Sequence, residues 1–207
     1  MTKKIFFDDK YCLTQAVLTG QKTMMRRIEK PTEMADGYTR EDVVTIIHEY
    51  SALLNAHVFS LYDNEKKIGV LNPRYQVGEI VAIAQSYKEL YPNADFQMVG
   101  NGFMTESAGW NNKMFVRANL MKRHIRITDV KVEQLQDISD DDIMREGVWQ
   151  SYDQKNLFYV SKSIGYARVV AFLSARKAFA YLIDMVSGEG TWNRNPWVIV
   201  YTFERID

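Results

Sequence analysis

The stretch Arg123-His124-Ile125-Arg126-Ile127-Thr128-Asp129-Val130-Lys131-Val132-Glu133-Gln134-Leu135 alternates apolar and polar residues as a half-buried strand does, but with a fault. Ile125 and Ile127 share one parity, and Val130 and Val132 share the other. A change of parity at Thr128-Asp129 is what a β-bulge produces, since one unpaired residue turns every later side chain to the opposite face. Bulges bend strands, and a long bent strand suits a small closed barrel. Downstream, Pro196 introduces residues 197–204, which are apolar at almost every position and predict a strand in the middle of a sheet. Upstream, Val77-Gly78-Glu79 is a turn feeding Ile80-Val81-Ala82-Ile83-Ala84, apolar on both faces and read as a central, buried strand. Residues 3–7 read as a short first strand.

Helices are placed by caps and periodicity. Asp8 or Asp9 caps a helix expected to run to about residue 19, with Leu13, Ala16 and Val17 on one face and Gly20 at its end. Thr39-Arg40-Glu41-Asp42 has capping-box spacing, and Val43, Ile46, Ile47, Tyr50 and Leu54 follow at helical intervals, which predicts a helix over 43–54. Residues 57–61 read as a strand, followed by a turn at Asp63-Asn64. Residues 86–90 read as one helical turn stopped by Pro92, and residues 114–116 as a short strand. Residues 100–112 hold three glycines and three asparagines and read as a long loop. Ser139 and Asp142 make a second capping box, whose short helix ends near Gly147. Residues 149–170 look irregular and aromatic-rich. Ser174 caps a helix with Phe179, Leu182, Ile183 and Val186 on its apolar face, ended by Gly188. Strands and helices mix without the regular alternation of a doubly wound sheet. The expected architecture is α+β: a bent, mostly antiparallel β-barrel with helices around it. It forms a single domain over residues 1–207, with an insertion at about 32–75.

Composition narrows the function classes. The chain has 207 residues, and 26 Lys plus Arg balance 26 Asp plus Glu, so bulk charge announces no nucleic-acid binder and any such role rests on a local patch. A hydrophobic content of 46% is enough for a sizeable core. One cysteine, Cys12, excludes an intramolecular disulfide framework. The apolar run behind Lys3-Lys4 is only Ile5-Phe6-Phe7, too short for a signal peptide, and no run is long enough to span a membrane. A cytoplasmic, soluble protein is expected.

The chemistry concentrates in Gly20-Gln21-Lys22-Thr23-Met24-Met25-Arg26-Arg27, an extended segment or loop leaving the first helix. Its cations alternate with methionines, so alternate side chains are expected to point inward. Elsewhere the signals are bland. His48, His57 and His124 lack metal-ligand spacing, so no metal or cofactor is expected. Cys12 reads as a core residue, and Gly100-Asn101-Gly102 as a turn rather than a phosphate cradle. Lys122-Arg123-His124-Arg126 reads equally as the exposed face of a strand or as phosphate contacts. Trp110, Trp149, Trp192 and Trp197 offer rings for stacking on bases, although Trp197 belongs to the core strand.

Four segments together resemble an ASCH domain of the PUA-like superfamily. They are Gly20-Gln21-Lys22-Thr23 with its arginines, Val77-Gly78-Glu79-Ile80-Val81-Ala82, Leu135-Gln136-Asp137-Ile138-Ser139 running to Arg145-Glu146-Gly147, and residues 179–184 with the strand at 197–203. Residues 32–70 and 86–112 lie outside the likeness. The resemblance implies a small PUA-like β-barrel with a cleft beside Lys22, binding RNA or a modified nucleoside. Lys22, Thr23, Arg26 and Arg27 would contact the ligand, and Trp110 would stack on a base. One branch of the family is an amidohydrolase acting on acetylcytidine, with a lysine, a threonine three residues later and a glutamate. Here the lysine is Lys22 and the glutamate Glu146, but the threonine position is Met25, with Thr23 the nearest hydroxyl. That departure favours a binding module over the hydrolase. A protein-interaction domain is the third reading.

Overall fold

The computed structural model describes residues 2–92, 107–164 and 166–207. In chain order the first elements are β1 (Lys4–Ile5), α1 (Leu13–Leu18), β2 (Met24–Arg27), β3 (Glu33–Met34), β4 (Thr45–Ser51), β5 (Ala56–Asp63), β6 (Lys66–Leu71), β7 (Ile80–Ile83) and α2 (Tyr87–Leu90). There follow β8 (His124–Gln134), α3 (Asp140–Arg145), β9 (Trp149–Gln150), β10 (Phe158–Ile164), β11 (Tyr166–Phe172), α4 (Ala175–Ser187), α5 (Thr191–Arg194) and β12 (Trp197–Arg205).

The fold is mixed α+β. Among the described residues the strands form three sheets, ordered β1-β7-β8-β12-β2, β11-β10-β9 and β3-β6-β5-β4. None of these ladders closes into a barrel. Pairing is antiparallel except between β1 and β7. The first sheet is built on β8 and β12. Thr202 lies opposite Asp129 and Phe203 opposite Ile127, so Thr128 is the extra residue, where the parity of the sequence changes. β12 lies between β8 and β2, and Val198, Ile199, Val200 and Tyr201 are all buried. The main core unites this sheet with α1, α3, α4 and the sheet of residues 33–71.

Several expectations fail for physical reasons. Residues 43–54 are not a helix. The capping box exists, with the Thr39 N–H and hydroxyl both donating to the Asp42 carboxylate, but it closes only a 3-10 turn over Arg40–Asp42. The chain then becomes β4, paired with β5 from Thr45 opposite Tyr62 to Ser51 opposite Ala56. Its β-branched Thr45-Ile46-Ile47 run suits a pleated strand, and Asn55 supplies the left-handed turn residue at φ 49°. The helix expected over 8–19 is broken in two. Asp8 caps a 3-10 turn over Asp9–Tyr11, and Cys12, at φ 56° and half-buried rather than in the core, separates it from α1. Residues 114–116 are not a strand. Lys4 Nζ gathers the carbonyls of Lys113, Met114 and Val116 at 2.6–3.1 Å, and the chain curls into a 3-10 turn at Lys113–Phe115. Much of residues 149–170, expected to be irregular, is strand: β9, β10 and most of β11, with a turn segment over 151–157. The stretch read as an insertion folds as its own four-stranded sheet. Of the loop expected at 100–112, residues 100–106 lie outside the described residues. Among the described residues no helix is long and apolar enough to cross a membrane.

Candidate functional site: a buried ion cluster on a cavity floor

Gly20, at φ +78°, turns the chain out of α1, and the segment behind it is fixed from three sides. Lys22 N–H donates to the Ala16 carbonyl at 2.9 Å, Thr23 N–H to Arg145 O at 2.9 Å, and Phe203 N–H to Thr23 O at 2.9 Å. β2 then pairs with β12 as the edge strand of the first sheet, with Met25 opposite Tyr201 and Arg26 opposite Val200. Glu146 comes from far along the chain. It follows α3, which Ser139 caps and which carries three acids in its first turn, favourable at a helix N-terminus. Gly147, at φ +106°, reverses the chain next to the Lys22 stem: a Cβ there would stand 2.9 Å from Leu13 Cδ2 and 3.8 Å from Lys22 Cδ.

These elements bring Lys22, Arg26 and Glu146 together. Lys22 Nζ donates to Glu146 Oε2 at 2.6 Å and to the Glu146 carbonyl at 2.8 Å. Arg26 Nη1 donates to the other oxygen, Oε1, at 2.9 Å. Arg26 also donates from Nε and Nη2 to Glu133 Oε1 at 2.9 and 2.6 Å, and from Nη2 to Asp142 Oδ2 at 3.1 Å. Both Lys22 and Glu146 are buried, at 3% and 4% relative exposure. Burial pushes the Lys22 ammonium below the ordinary lysine range, against the opposing pull of the Glu146 carboxylate. For Arg26 burial works in the same direction, but Glu146 and Glu133 outweigh it and the guanidinium is held more firmly charged than usual.

The cluster forms the floor of a cavity of about 720 Å³, within the range of about 300–1,000 Å³ typical of small-molecule sites. Phe6, Phe7, Leu13 and Met25 line it, as do the α4 residues Phe179, Leu182, Ile183 and Val186. Arg27, Lys30 and Arg74 supply cations, and Asp8 and Glu29 carboxylates. Met25 is a buried wall residue, and Arg27 Nε lies 3.2 Å from its sulfur.

Of the residues singled out in the sequence, Lys22, Arg26, Arg27 and Glu146 line this one cavity. Thr23 and Trp110 are not among the lining residues. The Thr23 hydroxyl accepts from Arg145 Nε at 3.0 Å, and Trp110 sits in the turn against α2, where its carbonyl accepts from Lys88 N–H at 3.2 Å. Of the basic cluster at the start of β8, three members are engaged: Lys122 Nζ donates to Leu90 O, Arg126 pairs with Glu204, and His124 with Asp207. His48 and His57 pack against each other in the β4–β5 hairpin, with ring centroids 4.9 Å apart and planes tilted by 53°. No group of His, Cys, Asp or Glu among the described residues could hold a metal ion. Sequence reasoning missed Glu133, Asp142 and Arg74. Asp142 was legible only as a capping acid and Glu133 only as the polar phase of a strand. Arg74 follows Pro73 in a stretch without periodicity. No protein-family model matches the chain, and no curated protein or solved structure matches it significantly.

Proposed function

We propose that the chain is an RNA- or modified-nucleoside-binding module of the ASCH, PUA-like kind, with the cavity above Lys22 and Glu146 receiving one nucleoside-sized group. The observation that supports this reading most is the pairing of Lys22 with Glu146 across 124 positions of sequence on the floor of an apolar-walled cavity. A planar heterocycle needs apolar faces and polar edges, and the cavity offers both. An ammonium has three N–H donors, and two of those on Lys22 go to Glu146. The third remains for a ligand carbonyl or ring nitrogen, while Glu146 accepts from an exocyclic amine.

A second reading, hydrolysis of an acylated cytidine-type nucleoside, draws on the same pair. A lysine whose pKa is lowered by burial and which touches a carboxylate is a suitable base or nucleophile. Met25 occupies the position where that chemistry would use a hydroxyl, which favours binding without turnover.

The test is thermal unfolding of the full chain with a panel of common and modified nucleosides and short RNAs. A ligand at about 100 times its Kd stabilises by about 2.7 kcal/mol, a shift of several degrees. A stabilising nucleoside whose effect disappears in Lys22→Met supports the proposal. Absence of any shift across the panel overturns it.

A further inference from the structure

The cations of the cavity fall into two groups with opposite bookkeeping. Those on the floor are neutralised: Lys22 by Glu146, and Arg26 by Glu146, Glu133 and Asp142. Arg26 places four of its five N–H donors on carboxylates and has little left for a ligand. Those nearer solvent are not neutralised. Among the described residues, no carboxylate lies within 4.0 Å of the charged nitrogens of Arg27, Lys30 or Arg74. All three line the cavity, with Arg27 half-buried and Lys30 and Arg74 exposed.

We infer that this outer part of the cavity is a phosphate site made by Arg27, Arg74 and Lys30, so that the ligand is a phosphorylated nucleoside; the base portion of the claim rests on the reading above. Arg27 and Arg74 converge on one ring, each guanidinium carbon standing 5.9 Å from the Tyr75 centroid, so the two are no further apart than twice that distance. Arg27 is positioned rather than free to swing, through Nε to the Met25 sulfur and Nη2 to the Phe6 carbonyl at 3.4 Å. Two carboxylates share the lining and oppose an anion, but both are engaged. Glu29 accepts from the Tyr201 hydroxyl at 2.7 Å and from Arg74 N–H at 3.0 Å, and Asp8 accepts from Lys10 N–H at 2.8 Å. Three cations against two tethered carboxylates leave the outer cavity net positive in a chain whose overall charge is zero. Guanidinium forks match phosphate oxygens, and a tetrahedral dianion can take both arginines at once. The two zones divide the labour: a neutral, hydrogen-bonding floor for a base and a cationic mouth for its phosphate.

The experiment is calorimetric titration of the full chain with the four common ribonucleosides, their 5′-monophosphates, inorganic phosphate and a short single-stranded RNA. It is run on the natural protein, Arg74→Gln, Arg27→Gln and, as a distant control, Lys155→Gln. The expected result is a monophosphate bound at least about tenfold more tightly than its nucleoside, the worth of one charge-assisted hydrogen bond. That ratio should collapse in Arg74→Gln and in Arg27→Gln and persist in Lys155→Gln. RNA bound more tightly than any monophosphate, with the same loss in the arginine variants, supports the phosphate site and makes the polymer its source. Binding of inorganic phosphate that the arginine variants lose, with no nucleoside affinity, supports the phosphate site while overturning the nucleoside reading. Equal affinity for nucleoside and monophosphate overturns the phosphate site and leaves the nucleoside reading standing. Failure of every probe to bind overturns both.

Discussion

Glu146 holds two cations with one carboxylate, Lys22 at 2.6 Å and Arg26 at 2.9 Å, and the three groups are not interchangeable in energy. Glu146→Gln removes the only carboxylate among the described residues that Lys22 touches and leaves a buried ammonium uncompensated, a loss on the order of 3–5 kcal/mol. Lys22→Met leaves Glu146 still bound by Arg26 and keeps the apolar stem, so its cost is smaller, below about 2 kcal/mol. Chemical denaturation of the two variants measures this asymmetry, and equal losses would show that the Lys22–Glu146 contact does not carry it. Met25 gives a second expectation at this scale. Its thioether offers no proton to relay between the lysine and the carboxylate, so the natural protein should release no acetate from acetylcytidine above background. Met25→Thr should gain activity that Lys22→Ala abolishes; loss of an acid–base partner typically costs about 100- to 10,000-fold. Robust turnover by the natural protein would favour the hydrolase over the binding module. Lys22 and Arg26 were legible because they sit in one compact basic stretch, whereas Glu146 was named only through the resemblance to the ASCH family. Glu133 and Asp142 were not legible, because a carboxylate's target is a tertiary fact and their local patterns are those of an ordinary strand and helix start.

Among the elements, those read correctly are fixed by local chemistry that tertiary contacts only reinforce. Ser174 accepts from Lys177 N–H at the start of α4, and of the expected apolar residues Phe179, Leu182 and Ile183 are buried along it while Val186, on the cavity lining, is 42% exposed. The bulge of β8 falls at its change of parity because a pleated strand has a period of two and no way to hide an extra residue. The β4–β5 hairpin was misread because an apolar spacing of three and four also fits a strand that is mostly exposed. Of the supposed helix stripe, Val43 is buried and Ile46 packs on the core, but Ile47, Tyr50 and Leu54 are 45%, 58% and 53% exposed. The end of α3 allows a prediction. Gly147 lies in a region of φ that other residues avoid, and a methyl group there meets Leu13 at 2.9 Å beside the Lys22 stem. Gly147→Ala should therefore destabilise the fold by about 1–3 kcal/mol and weaken any ligand of the cavity. Unfolding melts with and without ligand separate the two effects, and an unchanged melting point would mean that Leu13 yields without cost.

Across the whole molecule, the sheet of residues 33–71 shares the main core with the first sheet and is also tied to it by a few polar clips. Arg40 donates to the carbonyls of Glu29 and Trp197, Trp197 Nε1 donates to Val43 O at 3.2 Å, and Arg74 N–H and Tyr201 meet on Glu29. Burial lowers the Arg40 pKa, with Glu41 and Glu29 opposing. Arg40→Ala should raise hydrogen exchange in β4 and β5 more than in β8 and β12, whereas uniform exchange would mean that the two sheets open as one unit. The Tyr201–Glu29 contact also sets the response to alkali. Burial first, and then the Glu29 carboxylate, push the Tyr201 phenol well above its ordinary value of 10.0, and burial raises Tyr75 in the same direction. Above pH 10 the unfolded chain sheds these protons while the folded chain keeps them. The folded state then binds more protons, and stability, fully present below that pH, declines as pH rises toward the folded values. Lys22 acts in the opposite sense: its folded value lies below 10.5, so its contribution grows as pH climbs from that folded value to 10.5. Urea unfolding from about pH 8 to about pH 11 should therefore show a decline setting in above pH 10. Tyr201→Phe should be less stable at pH 8, for want of the hydrogen bonds to Glu29 and Arg74, yet lose less on going to pH 11. The same slope in both proteins would mean that the Tyr201 phenol ionises in the folded state as readily as in the unfolded one.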